Sequence, residues 1–122
     1  MIAVICWGML GLIHLLPALA LFRPSMISAL YGVQSGSANF LLLHHRAALF
    51  LCVLVICVWA ALRPDVRQLA SVAVAISMLS FLWLYAAAER PAALRQIAIV
   101  DLAGLPFLAI AAWLAFRPVQ GL

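Results

Sequence analysis

The sequence predicts an all-α integral membrane protein, an antiparallel up-down-up-down bundle of four transmembrane helices with a short interfacial helix after the first. Of the 122 residues, 70% are hydrophobic and 8% are charged, and the mean hydropathy is +1.26. A soluble domain would carry about 25% charged residues. The dipeptide Arg-Pro occurs four times, each time after a long apolar run. Because proline disfavours helix in the residue before it, each Arg-Pro predicts a helix end.

The first predicted span covers about residues 2–22 and contains Pro17, which predicts a kink. Residues 18–20 have the A-x-A form of a signal-peptide cleavage site, but no basic segment precedes the apolar run. We therefore interpret the run as a transmembrane helix. A short interfacial helix is predicted over 25–31, since Gly32 can end it and apolar side chains recur at helical spacing: Met26, Ile27, Leu30 and Tyr31.

The polar linker 34–37 leads to the second span, which Ser37 or Asn39 can cap. The spans are predicted at about 2–22, 39–62, 67–88 and 94–116, and together form one domain over 1–122. The tight link before the third span predicts antiparallel neighbours. Small residues on the third span predict close helix packing, at Ala70, Ala73, Ser77 and Ser80.

The seven basic residues are all arginine and are scattered among the predicted helix ends. Nucleic-acid binding needs a concentrated basic patch, so that class is excluded, and the expected partner is the lipid bilayer. We expect a bacterial inner-membrane location. The positive-inside rule gives a tie, and the charge of the N-terminal amine favours cytoplasmic termini.

A layer of polar residues inside the predicted spans is the candidate site. It comprises His14 in the first span, His44, His45 and Arg46 in the second, Glu89 at the end of the third and Asp101 in the fourth. At 1.5 Å per residue, His14, Arg46 and Asp101 lie about 10–13 Å from helix ends on the same predicted side. Ionisable groups at such depths are costly and commonly functional.

Asp101 has a short side chain and cannot reach the headgroups, so it must be protonated, hydrated or paired. Arg46 is the basic residue predicted at its depth, and we expect an Arg46–Asp101 contact, direct or through water. Such a pair could lock two helices together or serve a function, and the sequence leaves both interpretations open.

No cofactor, metal site or catalytic residue is predicted. Two histidines on different spans, His14 with His44 or His45, could hold a haem b, but hydrogen-bonded bundle histidines are the simpler interpretation. The cysteines, Cys6, Cys52 and Cys57, lack metal-site spacing. No phosphate-binding loop, zinc-protease or hydrolase motif occurs, and there are three acidic residues in all.

Three short pieces carry a resemblance to a known family: Gly11 to Pro17 (GLIHLLP), His45 to Phe50 (HRAALF) and Asp101 to Gly104 (DLAG). Together they resemble a family of small four-helix bacterial membrane proteins of unknown function, whose members often carry the label phosphopantetheine adenylyltransferase. That label implies a soluble enzyme with an H-x-G-H element, which this sequence lacks. The architecture is also similar to DoxX-like and emopamil-binding-type proteins.

Three functional hypotheses follow. The first is a non-enzymatic multi-pass protein that associates with itself or with other membrane subunits, as an accessory factor. The second is a protein that binds or transforms a small lipophile, such as a quinone or an isoprenoid lipid, at the polar layer. The third is a b-type haem protein. A close-packed layer would favour the first, and a cavity lined by His14, Arg46 and Asp101 would favour the second.

Overall fold

A computed structural model of the chain describes residues 1–34 and 36–118, without the side chains of residues 30 and 93. Over this part the protein is helical. Its elements are α1 (Ile2–Leu19), α2 (Ser25–Tyr31), α3 (Ala38–Leu62), α4 (Arg67–Ala87) and α5 (Arg95–Phe116), with 3-10 turns at Pro64–Val66 and Ala92–Leu94. The all-α prediction with four long apolar helices is confirmed. Ser35 of the predicted linker lies outside the described residues.

The first span ends earlier than predicted. The helix α1 stops at Leu19 rather than near Phe22, because the amides that follow it bond three residues back instead of four. Ala20 donates to the Pro17 carbonyl at 3.3 Å and Leu21 to the Ala18 carbonyl at 3.1 Å. Pro17 lacks an N–H and weakens the last full turn. The Arg-Pro signal therefore marks the end of a turn here and not the end of the α-helix.

Glycine and serine define the segment between α1 and α3. The short helix α2 ends at Gly32, whose φ of 67° lies in the left-handed region that glycine adopts without strain. Ser37 caps α3, since its Oγ accepts a hydrogen bond from the Phe40 amide at 3.1 Å. Both elements coincide with the segments that the sequence predicts.

Arginine side chains fix the ends around the link between α3 and α4. Arg67 donates to the carbonyls of Ala60 at 2.7 Å and Ala61 at 3.2 Å, which are carbonyls that the end of α3 leaves unpaired.

At the other end of α4, Glu89 and Arg90 both have positive φ, 64° and 55°. The chain therefore leaves α4 through a left-handed turn just before Pro91.

The core is built around α1, which packs on α3 and α5, while α4 packs mainly on α5. Trp7, Leu10, Cys57, Val74 and Met78 are among its buried members. Gly104 lets α5 approach closely, because a Cβ there would lie 2.7 Å from Ile13 Cδ1 and 3.0 Å from Met78 Cε. Gly104 thus joins α5 to both α1 and α4, one turn after Asp101.

The four long helices are each long and apolar enough to cross a membrane. Large apolar side chains point outward from them, with Leu41 67%, Leu69 74% and Trp83 75% exposed. A protein in water rarely exposes contiguous apolar patches of this kind. The outer surface has the composition that a bilayer would cover.

Replacing Gly104 with leucine tests the close approach of α5. The added side chain meets Ile13 and Met78, so we expect a loss of about 1–3 kcal/mol in unfolding free energy. Ala103→Leu is the matched control, because Ala103 is exposed and should tolerate the change to within about 0.5 kcal/mol. Equal stability of the two variants in detergent unfolding would contradict the packing.

Candidate binding site between the helices

The Arg46 side chain rests on two aromatic rings. Its guanidinium carbon lies 4.9 Å from the centre of the Phe50 ring and 4.8 Å from that of Phe81. Phe50 is one turn further along α3, and Phe81 comes from α4. Cation–π contacts stabilise a desolvated charge by about 2 kcal/mol or more. Within residues 1–34 and 36–118, Arg46 makes no hydrogen bond or ion pair, so its N–H donors are available.

A cavity of about 740 Å³ opens beside Arg46, between α3, α4 and α5. We call it the Arg46 groove. Its polar members are Arg46, Asp101, Ser77, Ser80 and Tyr85. The rest of its wall is mainly apolar and includes Leu49, Val53, Ile76, Phe81, Leu84 and Leu94. The volume falls in the range of ligand pockets, about 300–1,000 Å³, and the lining has their usual mixture of apolar wall and few polar groups.

Small residues on α4 give the groove its width. Ala73, Ser77 and Ser80 were expected to bring helices together, and the structure places them along the groove instead. Ala70, the first of the series, is buried in the core. These residues do not bring helices together because α4 packs mainly on α5 and less on α3. Short side chains that face α3 therefore leave space between the two helices.

Asp101 faces the interior, as expected, with 7% of its surface exposed. It borders the Arg46 groove together with Arg46. Arg46 and Asp101 form no direct ion pair, since none of their side-chain nitrogen and oxygen atoms lie within 4.0 Å of each other. The predicted contact through water stays a prediction. The two charged groups therefore face one space without neutralising each other at contact distance.

A second cavity, of about 290 Å³, lies on the other side of Asp101 and is bordered by α1, α2, α3 and α5. We call it the His14 chamber. His14, Tyr31, Gln96 and Asp101 are its polar members. Phe50 and Asp101 line both cavities. The single cavity expected to hold His14, Arg46 and Asp101 is thus two cavities, which meet at Asp101.

Tyr31 lies within electrostatic reach of both charged groups. Burial raises the pKa of the Tyr31 phenol above its ordinary value of 10.0, the positive charge of Arg46 opposes this rise, and the carboxylate of Asp101 adds to it. The phenol is therefore neutral near pH 7 and can both donate and accept a hydrogen bond.

The remaining candidates lie apart from the two cavities. His44 Nε2 is 3.0 Å from the Leu21 carbonyl, to which it donates, so His44 joins α3 to the turn after α1. His45 is exposed on α3 and lines neither cavity. Glu89 is exposed at the left-handed end of α4, although its neighbours Ala88 and Pro91 line the groove. Helical rotation separates His44 and His45 from Arg46, whereas Glu89 lies beyond the end of α4.

Several residues of the site were missed in the sequence, among them Tyr85 of the groove. Phe50 and Phe81 hold Arg46, and Tyr31 and Gln96 line the chamber. Phe50 could have been found, because it follows Arg46 by four residues and so lies on the same helix face. Tyr31 was placed in the short helix, but its partner helices were not predictable. Aromatic residues are common in apolar spans, so Phe81 gave no signal.

The haem hypothesis gains no support from the histidines. The Nε2 atom of His44, a usual iron ligand, is engaged by the Leu21 carbonyl, and His45 faces outward. No cluster of three His, Cys, Asp or Glu residues suited to a metal ion occurs among residues 1–34 and 36–118. The absence of haem nevertheless stays a prediction.

An absorption spectrum of the purified protein, reduced with dithionite, tests the predicted absence of haem directly. We expect no b-type absorption bands, since no two histidines offer free Nε2 atoms to one iron. Bands that disappear in the His14→Ala or the His45→Ala variant would overturn this expectation and favour the cytochrome hypothesis.

The clustering of Tyr31, Arg46 and Asp101 can be measured through the phenol. Tyr31 should ionise above the ordinary tyrosine pKa, and Asp101→Asn should lower that pKa while Arg46→Gln raises it further. Phenolate absorbance against pH gives the values, with Tyr31→Phe to identify the contribution of Tyr85, the other tyrosine. A Tyr31 pKa that neither variant moves would contradict the cluster.

Comparison of the chain with protein-family models, curated proteins and solved structures found no match. The resemblance to the small four-helix bacterial family stays a prediction.

Proposed function

We propose that this chain is a multi-pass protein of the bacterial inner membrane, with four antiparallel spans and both termini on one side. Four helices of sufficient length and apolar character support it, together with their exposed apolar surface. The short connections at 63–66 and 88–94 favour antiparallel neighbours. Trp59 and Trp113 are exposed near Arg63 and Arg117, an arrangement typical of a membrane interface.

We further propose that the protein binds a small lipophilic molecule in the Arg46 groove. The observation that carries this proposal is the groove itself, in which Arg46 and Asp101 share one mainly apolar cavity without contacting each other. A subunit that served only to pack against other proteins would gain nothing from a half-buried arginine that lines a cavity and makes no ion pair within residues 1–34 and 36–118. A close-packed polar layer would favour the accessory-subunit hypothesis, and the groove is the opposite arrangement.

The chemistry of the groove favours an uncharged polar head. Arg46 donates hydrogen bonds, whereas Asp101 accepts them when ionised and can donate one when protonated. The two charges together sum to zero when Asp101 is ionised, so a net charge on the ligand would be left uncompensated. A quinone carbonyl or an isoprenoid alcohol satisfies these groups without adding charge.

The shape of the groove favours a head with an apolar tail. The groove extends between α3 and α4 from Cys52 and Ala73 to Ala88 and Leu94, and its wall away from Arg46 is mainly apolar. A tail could leave between these two helices directly into lipid. Binding is the proposed activity, and no residue is assigned a catalytic role.

Native mass spectrometry of the gently purified protein should show a co-purified lipophile. The purified protein should also bind decylubiquinone or farnesol in detergent, and hexadecane, which lacks a polar head, should not compete. Arg46→Lys keeps the charge but loses the planar guanidinium, and we expect binding about tenfold weaker or more, equivalent to about 1.4 kcal/mol.

A matched pair of variants tests the place of binding. Ser77→Phe fills the groove and should abolish binding, whereas Leu79→Phe adds the same ring on the exposed side of α4 and should not change it. Equal binding by both variants, or no binding of either probe and no co-purified lipophile, would contradict the proposed function.

A further inference from the structure

The His14 chamber contains a buried histidine whose second nitrogen has no partner. His14 Nδ1 lies 2.8 Å from the Leu10 carbonyl and must carry the proton that it donates. Nε2 is then an acceptor, and it is buried without a hydrogen-bond partner in the described part of the chain. His14 itself is 1% exposed. Buried polar atoms are almost always satisfied by protein groups or by ordered water, so this atom calls for a donor.

The chamber that His14 lines is large and polar enough to hold water. Its volume of about 290 Å³ exceeds the share of one water in the liquid, about 30 Å³, several times over. His14, Tyr31, Gln96 and Asp101 provide hydrogen-bonding groups on its wall. Tyr31 and Gln96 lie at its α2 end, where Gln96 is exposed and α2 covers the start of α3 and the turn before α5.

Asp101 connects this chamber to the groove. Asp101 borders both cavities, whereas Arg46 borders the groove and His14 the chamber. The titratable or charged residues that line the same cavities as Asp101 are His14 from α1, Tyr31 from α2, Arg46 and Cys52 from α3, and Tyr85 from α4. A proton that reaches the chamber can therefore be accepted by Asp101, which also borders the Arg46 groove.

We propose that the His14 chamber is a water-binding site that gives Asp101 proton access from the α2 end of the bundle. Water there donates a hydrogen bond to His14 Nε2 and bonds the carboxyl of Asp101. A proton moves from bulk water through chamber water to the Asp101 carboxylate and returns by the same path, so no other reactant is consumed. The consequence for ligand binding rests on the proposed function. A protonated Asp101 could donate a hydrogen bond to a ligand head group that has acceptors but no donors.

Infrared spectroscopy of the full-length protein without ligand tests the access route. The chain has three acidic side chains, so the carbonyl band of protonated Asp101 can be assigned by its loss in Asp101→Asn. After transfer to D₂O at acidic pH, the band should shift promptly in the unmodified protein. Ile97→Phe narrows the chamber and should slow the shift about tenfold, as an added barrier of about 1.4 kcal/mol would.

Two controls separate this route from others. Ile99→Phe is the same change at an exposed position of α5 outside both cavities, and Ser77→Phe narrows the groove; both should leave the rate unchanged. Slower exchange in Ser77→Phe with an unchanged rate in Ile97→Phe would overturn the inference, because Asp101 would then be hydrated through the groove. Very slow exchange in the unmodified protein would overturn it as well.

Further variants keep the test independent of folding and of the proposed function. If Ile97→Phe fails to fold, Gln96→Leu changes an exposed residue at the end of the chamber and should also slow exchange, and an unchanged rate would count against the inference. Binding of decylubiquinone is measured separately. Prompt exchange without ligand binding would support the chamber and refute the proposed function. Ligand binding with slow exchange would support the proposed function and refute the chamber.

Discussion

The contact of the Arg46 guanidinium with two aromatic rings is the constraint on which the rest of the site depends. A charged group in an apolar bundle must be paired, hydrated or placed against polarisable faces. Here the rings of Phe50 and Phe81 provide those faces. Further ring contacts extend the series in both directions, to His14 5.9 Å from Phe50 and to Tyr85 6.2 Å from Phe81. The series links α1, α3 and α4 across the bundle.

Two uses of small residues determine where the bundle is tight and where it is open. Gly104 removes a side chain at the point where α5 meets Ile13 of α1 and Met78 of α4, so these helices touch. Ala73, Ser77 and Ser80 remove bulk on the face of α4 that looks towards α3, where the helices stay apart. Asp101 lies one turn from Gly104, so the tight contact holds its backbone in place beside the two cavities that Asp101 lines.

The sequence predicted the elements well and the site in part. Prolines, Gly32 and Ser37 act locally, through backbone geometry and capping, so the helix ends near them could be read directly. Depth along a helix also follows from residue number, and it placed His14, Arg46 and Asp101 at one level. Direction around the helix axis does not follow from depth. His44, His45 and Arg46 are consecutive and point about 100° apart, so the three have different neighbours.

The separation of Arg46 from Asp101 is the strongest argument that the polar layer does more than hold helices together. A direct ion pair would saturate the donors of Arg46 and the acceptors of Asp101 with each other, and the pair would then act as a fastener. In the structure, the positive charge is stabilised by Phe50 and Phe81, which leaves its hydrogen bonds unused. Asp101 in turn borders two cavities of different character. An arrangement that places a half-buried guanidinium and a buried carboxyl residue at one cavity, without a contact between them, is suited to a third group between them.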